Sequence, residues 1–270
     1  ADATRCAGTG TRGNSAAAGA SGSVAAAGAS GSVAAAGASG SVAAAGTFGM
    51  TRIKICGITR VDDGLAAARA GADAIGLVFW PGTPRRVDAA TARAIADAMP
   101  PFVTVVGLFV DPDAGEVRAV CDAVPLDLLQ FHGSEAPALC RTFGKRYLKA
   151  FAVGDGVDLL KSTVGYDDAT GWIFDAHVPG DLPGGTGRTF DWSRLPRDLA
   201  RPLVVSGGLD ATNVGDAIAR LRPHAVDVSS GVEARDAAGK VRRGIKDAAR
   251  IVAFTRAVRD ADDRNANAEP

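Results

Sequence analysis

The sequence predicts a (β/α)8 TIM barrel, an α/β fold in which eight parallel strands close into a cylinder surrounded by helices. Strand and helix patterns alternate eight times within about 210 residues, and this alternation is typical of a parallel sheet. Most of the predicted strands are apolar along nearly their whole length, as strands covered on both faces should be. A doubly wound open sheet is the alternative, but the first turn between strand and helix lacks the GxGxxG sequence of dinucleotide-binding sheets.

Each predicted strand is a short run of β-branched or aliphatic residues bounded by turn residues. In chain order we expect the strands at 53–57, 73–79, 102–110, 126–131, 147–152, 172–175, 202–206 and 225–229. Helix patterns follow at 61–70, 88–99, 114–124, 135–143 and 157–164, at a short helix from Trp192, and at 213–221 and 245–258. Gly71 is expected to end the first helix and Asp88 to cap the start of the second.

The segments on either side of this barrel, which we expect to span residues 50–260, differ from it in composition. Residues 16–46 repeat the sequence AAAGASGSV with a nine-residue period, and the first 49 residues are almost entirely Ala, Gly, Ser, Thr and Val. Because such a segment has nothing large to bury, we predict a disordered low-complexity tail over 1–49; a β-solenoid or an interaction tail is the alternative. Residues 261–270 are polar and are predicted to fray.

The composition excludes several classes of function. With 30 basic and 30 acidic residues the formal net charge is zero, which argues against a nucleic-acid partner or an anionic membrane surface. No two of the four cysteines have CxxC spacing, so we expect neither a zinc site nor a disulfide framework, and free thiols suit a reducing compartment. No apolar run is long enough to span a membrane, and the Ala-rich start is too weakly hydrophobic for a signal peptide, so we expect a cytoplasmic protein.

Two candidate catalytic residues end predicted strands, at the rim of the barrel where active sites are built. Cys56 ends the first strand and Asp175 the sixth, so their side chains can face each other across the mouth. A thiolate near a phosphate and backbone dipoles can accept a proton, and a carboxylic acid opposite it completes an acid/base pair. Taken singly, Cys56 is more typical of a small buried side chain and Asp175 of a turn or cap residue. Cys121 and Cys140 lie in helix patterns and are read as small buried side chains.

Two glycine- and serine-rich loops follow the seventh and eighth predicted strands. Gly207-Gly208 ends the seventh strand, and Ser229-Ser230-Gly231 ends the eighth. These strands are neighbours in a closed barrel, and loops in this position commonly bind phosphate through backbone N–H groups and hydroxyls. The sequence therefore predicts a phosphate site here; two tight turns are the alternative reading.

Further polar side chains are predicted at the same rim. Arg85 lies in a proline-flanked loop after the second strand, where its guanidinium can pair with a substrate carboxylate or remain a solvated loop charge. Arg86 is the weaker candidate of the two. His132 follows the fourth strand, and it either orients a substrate or hydrogen-bonds a loop carbonyl.

Several short motifs, in order from Ile53 to about Ala253, together resemble those of the phosphoribosylanthranilate isomerase family of tryptophan biosynthesis. The combination is highly specific, and residues before Met50 lie outside it. The motifs are KICGIT from Lys54, GLVF from Gly76 with TPR from Thr83, LQFHG from Leu129, Phe174-Asp175, GGTG from Gly184 with FDW from Phe190, SGGL from Ser206, and VDVSSGVE from Val226.

The resemblance implies a reaction and the residues that carry it. It implies the Amadori rearrangement of N-(5-phosphoribosyl)anthranilate, with Cys56 as general base, Asp175 as general acid and no metal or redox cofactor. The partner is then a small phosphorylated sugar–anthranilate substrate, and the protein a monomer or homodimer. The binding roles implied are Arg85 for the anthranilate carboxylate, Gln130 and His132 in the pocket, Asp227 for ordering either the mouth or the substrate, and Gly207, Gly208, Ser229, Ser230 and Gly231 for the phosphate.

The sequence also predicts a lid, and two alternative functions remain to be compared with this isomerase. The glycine-rich segment 180–190 is expected to be a lid over the reacting sugar, or else a flexible insertion. Another phosphate-handling barrel is the alternative enzyme, but the synthase type would need a lysine acid at a strand end and the histidine-pathway type an aspartate in place of Cys56. A phosphate-ligand-binding relative without turnover is the non-enzymatic alternative, which loss of Cys56 or Asp175 would favour.

Overall fold

Eight parallel strands form a closed barrel in chain order in a computed structural model of the chain. The structure describes residues 49–154, 156–176, 189–196 and 198–268. The predicted tail before Gly49 and most of the predicted lid lie outside these ranges. The barrel strands are β1 (Arg52–Cys56), β2 (Ala74–Val78), β3 (Thr104–Phe109), β4 (Leu128–Phe131), β5 (Tyr147–Val153), β6 (Gly171–Ala176), β7 (Leu203–Val205) and β8 (Ala225–Val228). The predicted TIM barrel is confirmed.

Helices connect most of the strands. They are α1 (Val61–Arg69), α2 (Ala89–Ala98), α3 (Ala114–Ala123), α4 (Pro137–Cys140), α5 (Leu159–Ser162), α6 (Val214–Leu221) and α7 (Ala248–Asn267). As predicted, the Asp88 side chain caps α2 by accepting from the Thr91 N–H, and Gly71, with φ of +91°, directly follows the end of α1. Among the described helices, none combines the length and the apolarity that a membrane span requires.

Alternation along each strand sorts the side chains between two layers. On β1, Ile53 and Ile55 are fully buried in the large cluster beneath the helices, whereas Lys54 and Cys56 face the barrel interior. A second apolar cluster, formed by Leu148, Ile173 and neighbours, fills the interior. The polar groups at the strand ends therefore lie above a packed apolar interior.

Barrel closure joins β1 to β8 through both backbone and side chains. The two strands pair from Arg52 beside Ala225 to Ile55 beside Val228. Across the seam the Lys54 ammonium lies 2.8 Å from Asp227 Oδ2, and both side chains are about 5% exposed or less. The first and last barrel strands thus share a buried ion pair directly below Cys56.

The connection after β8, to which the sequence assigned no secondary structure over 230–244, contains a further hairpin. A 3₁₀ turn (Ser230–Val232) leads into an antiparallel hairpin of β9 (Glu233–Arg235) and β10 (Val241–Lys246). The predicted start of the last helix, Ile245, belongs instead to β10. The hairpin brings Glu233 and Lys246 into the barrel wall, where both are buried.

The C-terminal prediction also needs correction. Residues 261–267, predicted to fray, continue α7 as regular helix. Ala261 is buried, and Asp262 accepts hydrogen bonds from the Thr51 N–H at 3.0 Å and the Thr51 hydroxyl at 2.6 Å. Arg259 also donates to the Thr51 carbonyl. These contacts outweigh the low apolar content of the segment, because they join the end of the helix to the residue preceding β1.

We predict that Asp262→Ala lowers the free energy of unfolding by about 1–3 kcal/mol, since two hydrogen bonds to a charged acceptor are lost. Asp263→Ala is the matched control, because Asp263 is the next residue on the same helix and is exposed; it should change stability by no more than about 0.5 kcal/mol. Urea unfolding of both variants measures the difference. Equal stability of the two variants would contradict the ordered helix end.

Candidate active site

A cavity opens at the carboxyl ends of the barrel strands. Its apolar wall consists of Val78, Trp80, Leu108 and Val110. Its polar lining consists of Cys56, Thr83, Arg85, His132, Asp175, Ser206, Asp227 and Ser229. The fold therefore brings together both predicted catalytic residues and four of the other predicted site residues, from elements distant in sequence.

Cys56 ends β1 and reaches this cavity from a nearly buried position, with 7% of its surface exposed. The strand beside it carries Gly76 in register with Cys56, and a Cβ on Gly76 would lie 2.9 Å from the sulfur. The thiol therefore occupies space that a larger residue on β2 would fill. Burial raises the pKa of the Cys56 thiol, and the positive charges of Lys54 and Lys246 oppose that rise.

Asp175 ends β6 on the far side of the cavity. Its Oδ2 lies 3.2 Å from His132 Nε2, and its buried Oδ1 has no hydrogen-bond partner among the described residues. Gly207, with φ of +86°, leaves room for this carboxylate, since a Cβ there would lie 2.7 Å from Oδ1. One oxygen is thus held, and the other is left to contact a substrate.

The His132 ring is oriented from behind by Gln130, whose side-chain nitrogen lies 2.9 Å from Nδ1. Because that amide group donates, Nδ1 accepts and the ring proton sits on Nε2, directed at Asp175. His132 lines the cavity and contacts the Asp175 carboxylate, a partner that the sequence did not predict. Its contact with a substrate stays a prediction.

Gln130, predicted as a pocket residue, is fully buried behind His132 and is not among the residues that line the cavity. Strand alternation turns it toward the barrel interior, where its amide group contacts the imidazole. A direct contact between Gln130 and the substrate stays a prediction.

Arg85 lines the cavity as predicted, but its guanidinium already has a buried protein partner. Nε and Nη2 donate to the two Glu233 carboxylate oxygens at 2.7 and 2.9 Å, a bidentate pair that fixes the plane of the group. This pair uses two of the three guanidinium nitrogens, and Nη1 is the third. Its neighbour Arg86 is exposed.

Lys246 extends the same network toward the loop after β8. Its ammonium lies 3.3 Å from Glu233 Oε1 and 3.0 Å from the Ser229 carbonyl. Burial lowers the pKa of Lys246 to about 8, although Glu233 acts in the opposite direction. Sequence reasoning gave Glu233 and Lys246 no role, because their pairing depends on a hairpin whose only sequence signal is the turn around Gly239.

The predicted phosphate loops lie side by side. Gly207 and Gly208 have φ of +86° and +63°, and Ser229 lines the cavity. A Cβ on Gly231 would collide with the Leu209 carbonyl, so the loops after β7 and β8 pack directly on one another. Ser230 starts the 3₁₀ turn between them and the hairpin. Phosphate binding by these residues stays a prediction.

The other two thiols that the structure describes lie outside the cavity lining. Both belong to helices as predicted, Cys121 to α3 and Cys140 to α4, but only Cys140 is buried and Cys121 is half-buried. Burial raises the pKa of Cys140 to about 11. In the part of the chain that the structure describes, no group of three or more His, Cys, Asp or Glu side chains is placed to bind a metal ion.

Comparisons with known proteins agree with this arrangement. Residues 53–257 match the family model described as N-(5'phosphoribosyl)anthranilate (PRA) isomerase. A protein of that name from Azotobacter vinelandii is 54% identical over 210 residues, which cover 78% of this chain and 98% of the relative. The crystal structure of phosphoribosyl anthranilate isomerase from Thermotoga maritima superposes with a TM-score of 0.69 at 38% identity, over 78% of this chain and 100% of that one.

A further solved structure adds a ligand. It is described as this isomerase in complex with reduced 1-(o-carboxyphenylamino)-1-deoxyribulose 5-phosphate. Its TM-score is 0.66 at 36% identity, over 78% of this chain and 100% of that chain.

We predict that Gly207→Ala lowers turnover by about 100-fold, because the new methyl group displaces the Asp175 carboxylate. Gly239→Ala is the matched control: its φ is +78°, but a Cβ there meets nothing within 4 Å. Both variants should lose about 1–2 kcal/mol of stability to backbone strain, and Gly207→Ala should lose more, because a Cβ there would also lie 2.5 Å from the Ala176 backbone nitrogen. Steady-state kinetics and thermal unfolding of the two variants separate strain from displacement, and equal activity would contradict the placement of Asp175.

Proposed function

The chain belongs to the N-(5'-phosphoribosyl)anthranilate isomerase family, and we propose that Cys56 and Asp175 are the base and the acid of its reaction. That reaction converts N-(5-phosphoribosyl)anthranilate to 1-(2-carboxyphenylamino)-1-deoxyribulose 5-phosphate in tryptophan biosynthesis, and the enzyme is an intramolecular isomerase. One observation carries the proposal: a thiol and a carboxylic acid, held on β1 and β6, line the same cavity.

The first step opens the sugar ring. A protonated Asp175 gives its proton to the furanose ring oxygen, the bond from C1 to that oxygen breaks, and the anthranilate nitrogen lone pair forms the C1=N bond of a Schiff base. The partner-free Oδ1 is the oxygen suited to deliver this proton, since Oδ2 is held by His132.

The second step moves a proton off carbon. The Cys56 thiolate removes the proton from C2, and the electron pair moves through C1 to nitrogen, which gives an enolamine. The enolamine then gains a proton at C1 and loses the hydroxyl proton at C2, which leaves the ketone. The proton on Cys56 balances the one that Asp175 delivered, so solvent exchange returns both groups to their starting forms.

The two ends of the substrate fit different parts of the cavity. The apolar wall formed by Val78, Trp80, Leu108 and Val110 offers a surface for the anthranilate ring. Arg85, beside it, is placed for the ring carboxylate through Nη1. Asp227 Oδ1, which is buried and has no partner among the described residues, is available to a sugar hydroxyl. Phosphate binding is assigned to Gly207, Gly208, Ser229, Ser230 and Gly231.

We further expect a monomer or homodimer that acts in the cytoplasm and needs no metal or redox cofactor. The rearrangement is redox-neutral and requires only proton transfers, which the acid/base pair supplies. Free thiols at Cys56, Cys121 and Cys140 suit a reducing compartment.

Removing either proposed catalytic group should greatly slow the reaction without preventing ligand binding. We expect Cys56→Ser and Asp175→Asn each to lower kcat by roughly 10²- to 10⁴-fold. Substrate generated in situ can be followed by its fluorescence decay, and binding of the reduced product analogue by calorimetry. Affinity for the analogue should stay within about threefold.

The control for the thiol is Cys121→Ser, because Cys121 lies on an outer helix and should leave kcat unchanged. Near-normal turnover in Cys56→Ser or Asp175→Asn would refute the acid/base assignment. A wild-type chain that does not speed the fluorescence decay would refute the isomerase reaction itself.

Arg85 and Arg86 provide a matched pair for the carboxylate contact. Arg85→Lys should raise KM by about tenfold or more, because a lysine cannot keep the bidentate pair with Glu233 and still reach the substrate. Arg86→Lys, an exposed change at the next residue, should leave KM unaltered. Steady-state kinetics on both variants decides; equal KM values would assign the carboxylate to another group.

A further inference from the structure

Lys54 lies close to the Cys56 thiol inside the barrel. The two residues are two positions apart on β1, so their side chains point to the same face of the strand. A Cβ placed on Gly76 would lie 2.9 Å from the Cys56 sulfur and 3.2 Å from Lys54 Nζ. The sulfur and the ammonium nitrogen therefore share the space beside Gly76. The Lys54 charge acts on the thiol and lowers its pKa, against the effect of burial.

We propose that Lys54 is a positioning residue whose fixed positive charge sets the fraction of Cys56 present as thiolate. A thiol that acts as a base must first ionise, yet burial in the barrel favours its neutral form. A cation close to the sulfur favours the thiolate instead. The thiol proton leaves to water in the open cavity, and Lys54 keeps its own proton throughout.

Other charged and titratable groups also face the thiol. Asp227 approaches from β8 and opposes ionisation, but it acts more weakly than Lys54. Lys246 approaches from β10 and favours ionisation. The groups that share the cavity with the thiol from the loop after β2, the loop after β4 and the end of β6 are Arg85, His132 and Asp175.

Lys54 is better suited than Lys246 to supply a constant charge. Burial lowers the pKa of Lys54, but the charges of Asp227 and Cys56 more than offset this and leave that pKa raised. The pKa of Lys246 is lowered to about 8, whereas the pKa of the thiol is raised, so Lys246 loses its charge before the thiol ionises. The pair of Lys54 with Asp227 is what keeps the ammonium protonated inside the barrel.

The inference is tested by titrating Cys56 directly. The ultraviolet absorbance of the thiolate is measured against pH for the wild-type chain, for Asp227→Asn, for Lys54→Arg and for the double variant Lys54→Met with Asp227→Asn. Each protein is compared with the same protein carrying Cys56→Ser, so that the difference belongs to Cys56 alone. The double variant leaves no unpaired buried charge, so we expect it to fold even if a single change at Lys54 or Asp227 prevents folding.

We expect the double variant to titrate at higher pH than the wild type, with an ionisation constant about tenfold smaller. Asp227→Asn should titrate at lower pH than the double variant, because the two proteins differ only in the presence of Lys54. Lys54→Arg should stay near the wild type, since it keeps the charge. A double variant with the wild-type midpoint, or a lower one, would overturn the proposal and reduce Lys54 to a structural partner of Asp227.

The inference rests on the proposed role of Cys56 as base, and the two can fail separately. If Cys56 is the base, the acidic limb of the pH profile of kcat/KM moves upward with the thiol midpoint in the double variant. A thiol midpoint that moves while this limb stays fixed would support the charge control by Lys54 and refute the catalytic role of Cys56. Affinity for the reduced product analogue at fixed pH is compared between the double variant and Asp227→Asn; because both lack the Asp227 carboxylate, equal affinity shows that Lys54→Met leaves the cavity intact.

Discussion

The buried ion pair between Lys54 and Asp227 is the interaction on which the rest of this structure depends. It joins β1 to β8, the two strands whose pairing closes the barrel. Removing one partner alone would leave an uncompensated charge in the interior, at a cost of about 3–5 kcal/mol. Because Cys56 lies directly above this pair, barrel closure and the electrostatic surroundings of the thiol are set by the same two side chains.

The other reactive groups are held from behind in the same way. Arg85 is fixed by Glu233, and Glu233 is tied through Lys246 to the backbone of the loop after β8. The sides of the cavity that we propose bind the substrate carboxylate and the phosphate are therefore linked by one buried network. Asp175 is held instead by an uncharged chain from Gln130 through His132. Such preorganisation limits the reorganisation needed when charge develops on a substrate.

The barrel could be predicted because its signals are local. Each observed barrel strand begins within two residues of its predicted start, since aliphatic runs and turn residues are read directly from the chain. Cys56 and Asp175 followed from their positions at strand ends. The contact between Gln130 and His132 could not be predicted from the sequence, because it depends on where the two side chains end in three dimensions.

What the sequence did not reveal depends on long-range pairing. Glu233 and Lys246 are conspicuous only once the hairpin places them beside Arg85. The ordered end of α7 depends on Thr51, which is 211 positions from Asp262 in the chain. In each case a polar side chain has a partner far away in sequence, and local hydrophobic periodicity carries no information about it.

The most direct test of the account is a crystal structure of this chain with the reduced product analogue bound. The account predicts that the sulfur of Cys56 lies beside C2 and that Asp175 Oδ1 faces the hydroxyl derived from the ring oxygen, on the other side of the sugar chain. It also predicts the phosphate against Gly207, Gly208 and Ser229. An analogue bound with C2 out of reach of the Cys56 sulfur, or with its phosphate beside Arg85, would contradict it.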